Sequence, residues 1–510
     1  MRVASLPERR CRTRIEGNEE TGMTVGFPRR AWCLKLVVVL ALGVAAAAAA
    51  AVSPASSGRA HPAAACKPVE YRVRAGDTLS SIARRFHTTV VSLARANSLD
   101  PDGILLIGAV LKVPQAACVS RRAAAPVAAT GANRVLASSL SAALAVPGVS
   151  RAHTGVVVVD LDSSTVTYAV NAELPLEPAS TEKLPVALTA LQRLGAGFRT
   201  HTEVLGQGSL AGATWRGDLV LKGYGDPTLT SGGLAALARA VRNQGIAAVS
   251  GRVLGDESYF DTRRTAPGWK PWFAKSESPL LSSLVVDRGA LDGRATNQPA
   301  LAAAILFTRA LQKAGVSVTG RPSVGTASSR ATRIVRRASP PLIRVLSTMD
   351  TWSDNFIAEM VLKQLGARLG SAGTTAAGAA VVRSTLATNG VPLTGVRLAD
   401  ASGLSSLDRL TARSLAAMLE TVWHDPVLRA LPDTFAVAGS TGTLRHRLLG
   451  LPGHELVKGK TGTTDHSSAL AGFVGSRFAF AIVNNGYPVN WSAAHQLQDR
   501  VVTTLLAAAA

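Results

Sequence analysis

Residues Glu177–Leu194, EPASTEKLPVALTALQRL, set a serine and a lysine three positions apart where a helix begins. Apolar residues recur at helical spacing from Leu184 to Leu194, whereas Glu177-Pro178-Ala179 reads as loop, so Ser180 sits where a loop enters a helix. Residues three apart on a helix share a face, which brings the Lys183 amine within reach of the Ser180 hydroxyl. The positive end of the helix favours an alkoxide there. A serine hydroxyl is a poor nucleophile until a neighbouring base takes its proton, and a desolvated lysine can do that. Pro185 lacks an N–H and is tolerated only in a first turn, so the helix should start close to Ser180. The plainer alternative is a serine cap with a solvated lysine. About one Ser-x-x-Lys is expected by composition in a chain of this size. This one is unique in the chain, but alone it decides nothing.

Two more patterns lie downstream. Ser353-Asp354-Asn355, in TMDTWSDNFIAEMVLKQL, stands between a polar turn and a helix carrying Phe356, Ile357, Met360, Val361 and Leu365. A hydroxyl and an amide two residues apart at such a corner can both point into a cleft, one relaying protons and the other holding a carbonyl; a cap with a turn asparagine is the ordinary alternative. Lys460-Thr461-Gly462-Thr463 lies in a strand predicted over Val457–Thr463, paired with Ser468–Val474 and Arg477–Val483. Gly462 removes a side chain where a ligand backbone would pass closely, and Lys460 with the threonine hydroxyls would face a substrate carboxylate; a charged edge strand is the alternative. Upstream, Gly155–Asp160 and Thr165–Val170 flank an Asp-Ser-Ser turn and read as a hairpin.

In this order the three patterns resemble the signature of the penicillin-binding proteins and serine β-lactamases. The stretch from Ser180 to Ser353 is far longer than the compact members need. It contains GDLVLKGYGDPTLTSGGLAALARAVRNQGIAAVSGRVLGDESYFD and QPALAAAILFTRALQKAGVSVTG, with alternating strand and helix patterns. GYGDPTL, GDESYFD, APGW, VVDRGAL, DASGLSSLDRLTARSL and AGSTGTLRHRL resemble the class C low-molecular-mass group, the D-alanyl-D-alanine carboxypeptidases and endopeptidases.

The resemblance implies an α+β fold, a helical cluster beside a five-stranded antiparallel sheet, over 135–510, with inserted subdomains at about 205–335. It implies that Ser180 attacks the penultimate D-Ala carbonyl and that Lys183 is the base. Ser353 would pass the proton to the leaving amine and Asn355 would fix the substrate backbone. Lys460, Thr461 and Thr463 would meet the terminal carboxylate beside Gly462. The Ser180 and Thr463 N–H groups would form the oxyanion hole. Asp256 matches an acid that contacts the stem-peptide side chain in relatives, but the accompanying arginine is replaced by Ser406. No metal or organic cofactor is required, and β-lactam antibiotics would acylate the serine. The rival classes are a β-lactamase and a non-catalytic wall-binding or penicillin-sensing protein.

The chain of 510 residues has room for more than one domain. Residues 29–52, RRAWCLKLVVVLALGVAAAAAAAV, have the basic start and apolar run of a secretory signal; Met1 or Met23 is the start, and a retained segment would anchor the chain in the membrane. Residues 1–60 are thus an extension and export signal. The protein is expected in the cell envelope, wall or periplasm. There Cys66 and Cys118, bracketing one compact stretch, would form a disulfide, worth about 3–4 kcal/mol for a loop of roughly 50 residues. Between them, YRVRAGDTLSSIARRF, VVSLARANSL and LLIGAVLKVP resemble a LysM module (66–118). That implies a βααβ fold binding N-acetylglucosamine-containing glycans such as peptidoglycan. Residues 119–134 read as linker. The net charge of +22 comes without basic runs interleaved with aromatics, which argues against nucleic acid and for work among anionic wall polymers. Only 11 of the 55 basic residues are lysine, and two of those stand in the motifs above.

Overall fold

In the computed structural model the described residues are 69–74, 77–86, 93, 96, 97, 99, 105–113 and 131–509. The export segment, Cys66, Cys118 and the linker as far as residue 130 lie outside them. Among the described residues no helix is long and apolar enough to cross a membrane.

The N-terminal module pairs β1 (Val69–Arg72) antiparallel with a closing strand, and α1 (Leu79–Arg85) lies between them in sequence. The closing strand, β2, is Val110–Val113. Period-2 alternation turns Tyr71, Leu111 and Val113 inward, where they meet Leu79, Ile82 and Leu93 in a small core. Of the second helix expected over 90–96, Leu93 and Ala96 are described, and both are helical.

The large domain starts with α2 (Gly131–Ala143), four residues into the stretch read as linker. The apolar side of this helix runs through Leu136, Ala137, Leu140 and Ala143, and the sequence of its first turn, Gly-Ala-Asn-Arg, carries no hydrophobic signal. Next come the hairpin β3 (Thr154–Asp160) and β4 (Thr165–Val170), a 3-10 turn at Ala179–Glu182, and α3 (Lys183–Leu194). Pro185 falls in the first turn of α3, as its missing N–H requires.

The insertion follows. Its scaffold is the long hairpin β5 (His201–Ala211) and β6 (Thr214–Gly223), then α4 (Ser231–Asn243), β7 (Val253–Asp256), α5 (Pro299–Lys313) and β8 (Thr332–Ala338). β8 returns antiparallel along β5, and β7 lies parallel to β6. Leu219, Leu221, Leu234, Leu237, Phe307 and Leu311 fill a core separate from that of the rest. The insertion therefore runs a few residues wider than the 205–335 expected.

The chain then forms α6 (Leu342–Trp352), α7 (Asn355–Leu369), α8 (Thr375–Thr388) and α9 (Ala412–His424). It closes with β9 (Ala436–Val437), β10 (Val457–Thr463), β11 (Ser467–Val474), β12 (Phe478–Asn485) and α10 (Trp491–Ala509). The main sheet has the order β9-β10-β11-β12-β3-β4, antiparallel throughout. It has one strand more than the five expected, because two residues of β9 pair along the β10 edge.

Helices cover both faces, which is why β3 and β12 read as near-continuous apolar runs rather than alternating ones. Val157, Val159, Ala471, Ala481 and Val483 face the cluster containing α3, α7 and α9. Val156, Val158, Leu470, Phe480 and Ile482 face α2 and α10. Alanines on the first face let α9 approach closely. Each fully buried valine, isoleucine or phenylalanine contributes about 1.5–3 kcal/mol, so the sheet holds the motif residues on a rigid base.

Candidate active site

Three separated segments meet at the start of α3. The Lys183 amine, fully buried, donates to Ser180 Oγ at 2.9 Å, to Asn355 Oδ1 at 2.8 Å and to the Ser402 carbonyl oxygen at 2.7 Å. Ser180 Oγ itself donates to the Ser402 carbonyl at 3.2 Å. The residue before the nucleophile, Ala179, has φ of +46°, a left-handed conformation that alanine adopts only when its surroundings enforce it. This tight turn aims Ser180 back at the lysine.

Strand β10 runs along the nucleophile. A Cβ on Gly462 would lie 2.7 Å from the Pro178 carbonyl oxygen and 3.0 Å from the Ser180 nitrogen, so only glycine lets the strand pass. Side chains alternate along β10. Lys460 is fully buried and its amine donates to the Thr461 carbonyl oxygen at 2.8 Å, while Thr461, on the other side, donates to Thr443 Oγ1 at 2.7 Å. Lys460 and Gly462 thus lie on one side of β10, and Thr461 and Thr463 on the other.

Ser353 ends α6 with φ of +61° and makes the corner from which α7 departs. Asp354 caps α7 by accepting from the Ile357 N–H at 3.0 Å and pairs with Arg288 of the insertion at 2.7 Å. Cap and corner together fix Asn355 at the first position of α7, beside Lys183.

Electrostatics follow from burial. Loss of water lowers the Lys183 amine to about 8, against the partial restoring effect of the Asp400, Asp354, Glu359 and Asp350 carboxylates. Lys460 is also held well below the usual lysine range, first by burial and then by the charge of Lys183. Asp350 is pushed up to about 7 by burial. Proton abstraction from serine needs an uncharged base, and a value of about 8 leaves an appreciable fraction of the amine uncharged near neutrality, which an ordinary lysine does not have.

The sequence reading missed the loop 400–408 as a supplier of site groups. Asp400 accepts from Gly403 N (2.7 Å), Ser405 N (3.0 Å) and Ser402 Oγ (2.8 Å), and Glu359 Oε1 accepts from the Ala401 and Ser402 N–H groups at 2.9 and 3.0 Å. This buried carboxylate pair bends the loop so that the Ser402 carbonyl faces Lys183. Gly403 has φ of +78°, and a Cβ there would stand 1.8 Å from the Ala179 carbonyl oxygen. Gly403→Ala should therefore push the loop off the nucleophile turn. We expect a lower Tm, each kcal/mol lost being worth about 2–4 °C in a domain of this size; a thermal melt checks it.

Asp256 is not part of this assembly. It is buried on β7, where Lys222 Nζ (2.9 Å), Ser258 N (2.9 Å) and Ala327 N (2.9 Å) occupy its oxygens. It ties the insertion together.

A mixed helix–sheet core with a serine–lysine pair at the head of a buried helix and a lysine-bearing strand alongside is the penicillin-binding-protein fold. The solved structure of penicillin binding protein 4 from Haemophilus influenzae has it, with a TM-score of 0.65 and 22% identity over 72% of this chain and 99% of that one. The chain belongs to the D-Ala-D-Ala carboxypeptidase 3 (S13) family, whose pattern matches residues 136–298 and 290–508, and a LysM domain matches residues 71–114. It is accordingly a peptidase. The D-alanyl-D-alanine carboxypeptidase of Actinomadura sp. (strain R39) is 29% identical over 436 residues, covering 69% of this chain and 81% of the relative. Carboxypeptidase DacB of Mycolicibacterium smegmatis is 31% identical over 386 residues, covering 70% and 81%.

Proposed function

We propose that this chain is an exported serine-type D-alanyl-D-alanine carboxypeptidase, or D,D-endopeptidase, that works on peptidoglycan stem peptides through an acyl-enzyme on Ser180. The observation that carries the reading is the Lys183 amine: wholly buried, lowered to about 8, and 2.9 Å from the serine oxygen.

In the mechanism Lys183 takes the Ser180 proton as Oγ attacks the penultimate D-Ala carbonyl. The oxyanion is held by the Ser180 and Thr463 N–H groups, donors of a kind worth about 3–4 kcal/mol each. Asn355 orients the substrate amide, and Thr461 with Thr463 meets the terminal carboxylate in the field of Lys460. The proton reaches the leaving amine through Ser353, which frees D-Ala. Water, deprotonated by Lys183, then attacks the ester and regenerates Ser180. β-Lactams would follow the first half of the same path and stop at the ester. The LysM module would hold the enzyme on N-acetylglucosamine-containing strands, outside the cytoplasmic membrane.

Mass spectrometry after penicillin exposure tests this. A stable covalent adduct on Ser180, with release of D-Ala from a pentapeptide, is the expected result. Absence of an adduct overturns the reading, and rapid turnover with loss of label would make the protein a β-lactamase.

A further inference from the structure

The insertion reaches into the catalytic centre through one arm, residues 265–278. Trp269 Nε1 donates to Asp400 Oδ2 at 2.8 Å, and the Glu277 carbonyl oxygen accepts from Asn355 Nδ2 at 3.2 Å. Lys270 of the same arm pairs with Asp465, in the turn that follows β10, at 3.1 Å. Besides Ser180, the Lys183 amine has two acceptors, Asn355 Oδ1 and the Ser402 carbonyl. Each is steadied by the arm: the asparagine amide by Glu277, and the Ser402 loop by Trp269 through Asp400.

We propose that Trp269 is a positioning residue of the peptidase reaction, its indole N–H holding Asp400 and hence the Ser402 carbonyl that aims the Lys183 amine at Ser180. Trp269 makes no hydrogen bond to Ser180 or Lys183, and its effect passes through the buried Asp400 carboxylate. The inference rests on the serine–lysine mechanism proposed above.

The groups that face Lys183 come from every surrounding element. Glu182 stands in the turn of Ser180, Asp350 on α6, Asp354 and Glu359 on α7, Asp400 on the loop, and Lys460 on β10. Of these, Asp400 exerts the strongest pull toward a protonated Lys183. Removing the donor that partly neutralises it should hold Lys183 protonated to higher pH.

The test is Trp269→Phe, which keeps a ring and deletes the N–H. Penicillin acylation is measured across pH on the full chain, and rates are normalised to sites titrated by the antibiotic, so that misfolded molecules do not count. We expect the rate near neutrality to fall about five- to tenfold, the acid limb to move up by about half a pH unit, and KM for a pentapeptide to stay within about twofold. Arg309→Ala, on the exposed side of the insertion, should leave the profile unchanged. Asp400→Asn attacks the same link from its other end and should move the limb down; it carries the test alone if Trp269→Phe yields no titratable sites. Limbs coincident with wild type in the titratable variants overturn the inference, since a merely structural tryptophan would lower Tm without shifting them. Failure of the wild-type chain to be acylated would instead overturn the mechanism on which it rests.

Discussion

Ser180→Ala is expected to abolish covalent labelling by penicillin and to lower D-Ala release by on the order of 10⁴-fold or more. No other group can take over the attack. Lys183 is fully buried behind the serine, and the hydroxyl of Ser353 stands at another corner of the cleft. The fold should hardly notice. Ser180 Oγ bonds only to Lys183 and to the Ser402 carbonyl, and that amine keeps Asn355 and Ser402 as acceptors after the change. Most surface and half-buried substitutions of this kind stay within about 0.5–1 kcal/mol. Reversible binding of penicillin should survive, because Asn355, Lys460 and Thr461 are untouched. Intact-protein mass spectrometry, a D-Ala release assay and a thermal melt on the same preparation check the three parts together. Labelling that persists in the variant would mean that the nucleophile has been misassigned.

How far the sequence reveals the site depends on how local each group's partner is. Ser180 and Lys183 are three residues apart on one helical turn, so periodicity alone shows that they can meet. Gly462 reads from sequence as room for a passing ligand backbone, whereas in the structure the Pro178 carbonyl and Ser180 amide are what approach it. Asp400 and Glu359 were not legible. Their work is to hold backbone N–H groups of a loop that becomes part of the site only once α7 has packed against α3, and no spacing rule links positions so distant in sequence. The segment DASGLSSLDRL was noticed for its resemblance to relatives, but nothing in it says that a carbonyl oxygen is its contribution. Asp256 shows the reverse case. An acid next to a glycine in the insertion looks available, yet β7 is an inner strand, and Lys222 on the neighbouring β6 consumes the charge.

The β-structure of the main domain shows the same division. The valine run of β3 and the alternating Phe-Ala of β12 identify strands buried on both faces. The extra strand β9 is two residues long, too short to carry any pattern. At the other end of the domain, the first turn of α2 precedes the side that packs, so the sequence there reads as linker although the backbone is already helical.

The second large effect is expected from Lys183→Met, which keeps the length and apolar stem of the side chain and deletes the amine. A positioned general base contributes about 10²–10⁴-fold, so acylation should fall by about 10³-fold. The form of the pH profile is the sharper sign. In the wild type the amine must be uncharged to act, and with its value lowered to about 8 the acylation rate should climb tenfold per pH unit below that point and level off above it. In the variant the climb attributable to Lys183 disappears. Stability should respond with a definite sign as well. The folded-state value is depressed from 10.5 to about 8, so the unfolded chain binds the extra proton between those values. The contribution to stability is complete above about pH 10.5 and is lost as pH falls through about 8, roughly 3 kcal/mol at most for a shift of this size. The methionine carries no such term. Its Tm relative to wild type should therefore be most favourable near neutrality, despite the two acceptors left without a donor, and should decline as the pH is raised from about 8 toward 10.5. Lys460, which the charge of Lys183 helps to hold down, is partly relieved in the variant, and this adds to the same decline. A difference in Tm that stays flat across that window would mean that the amine at position 183 is charged in the folded enzyme and is not the base.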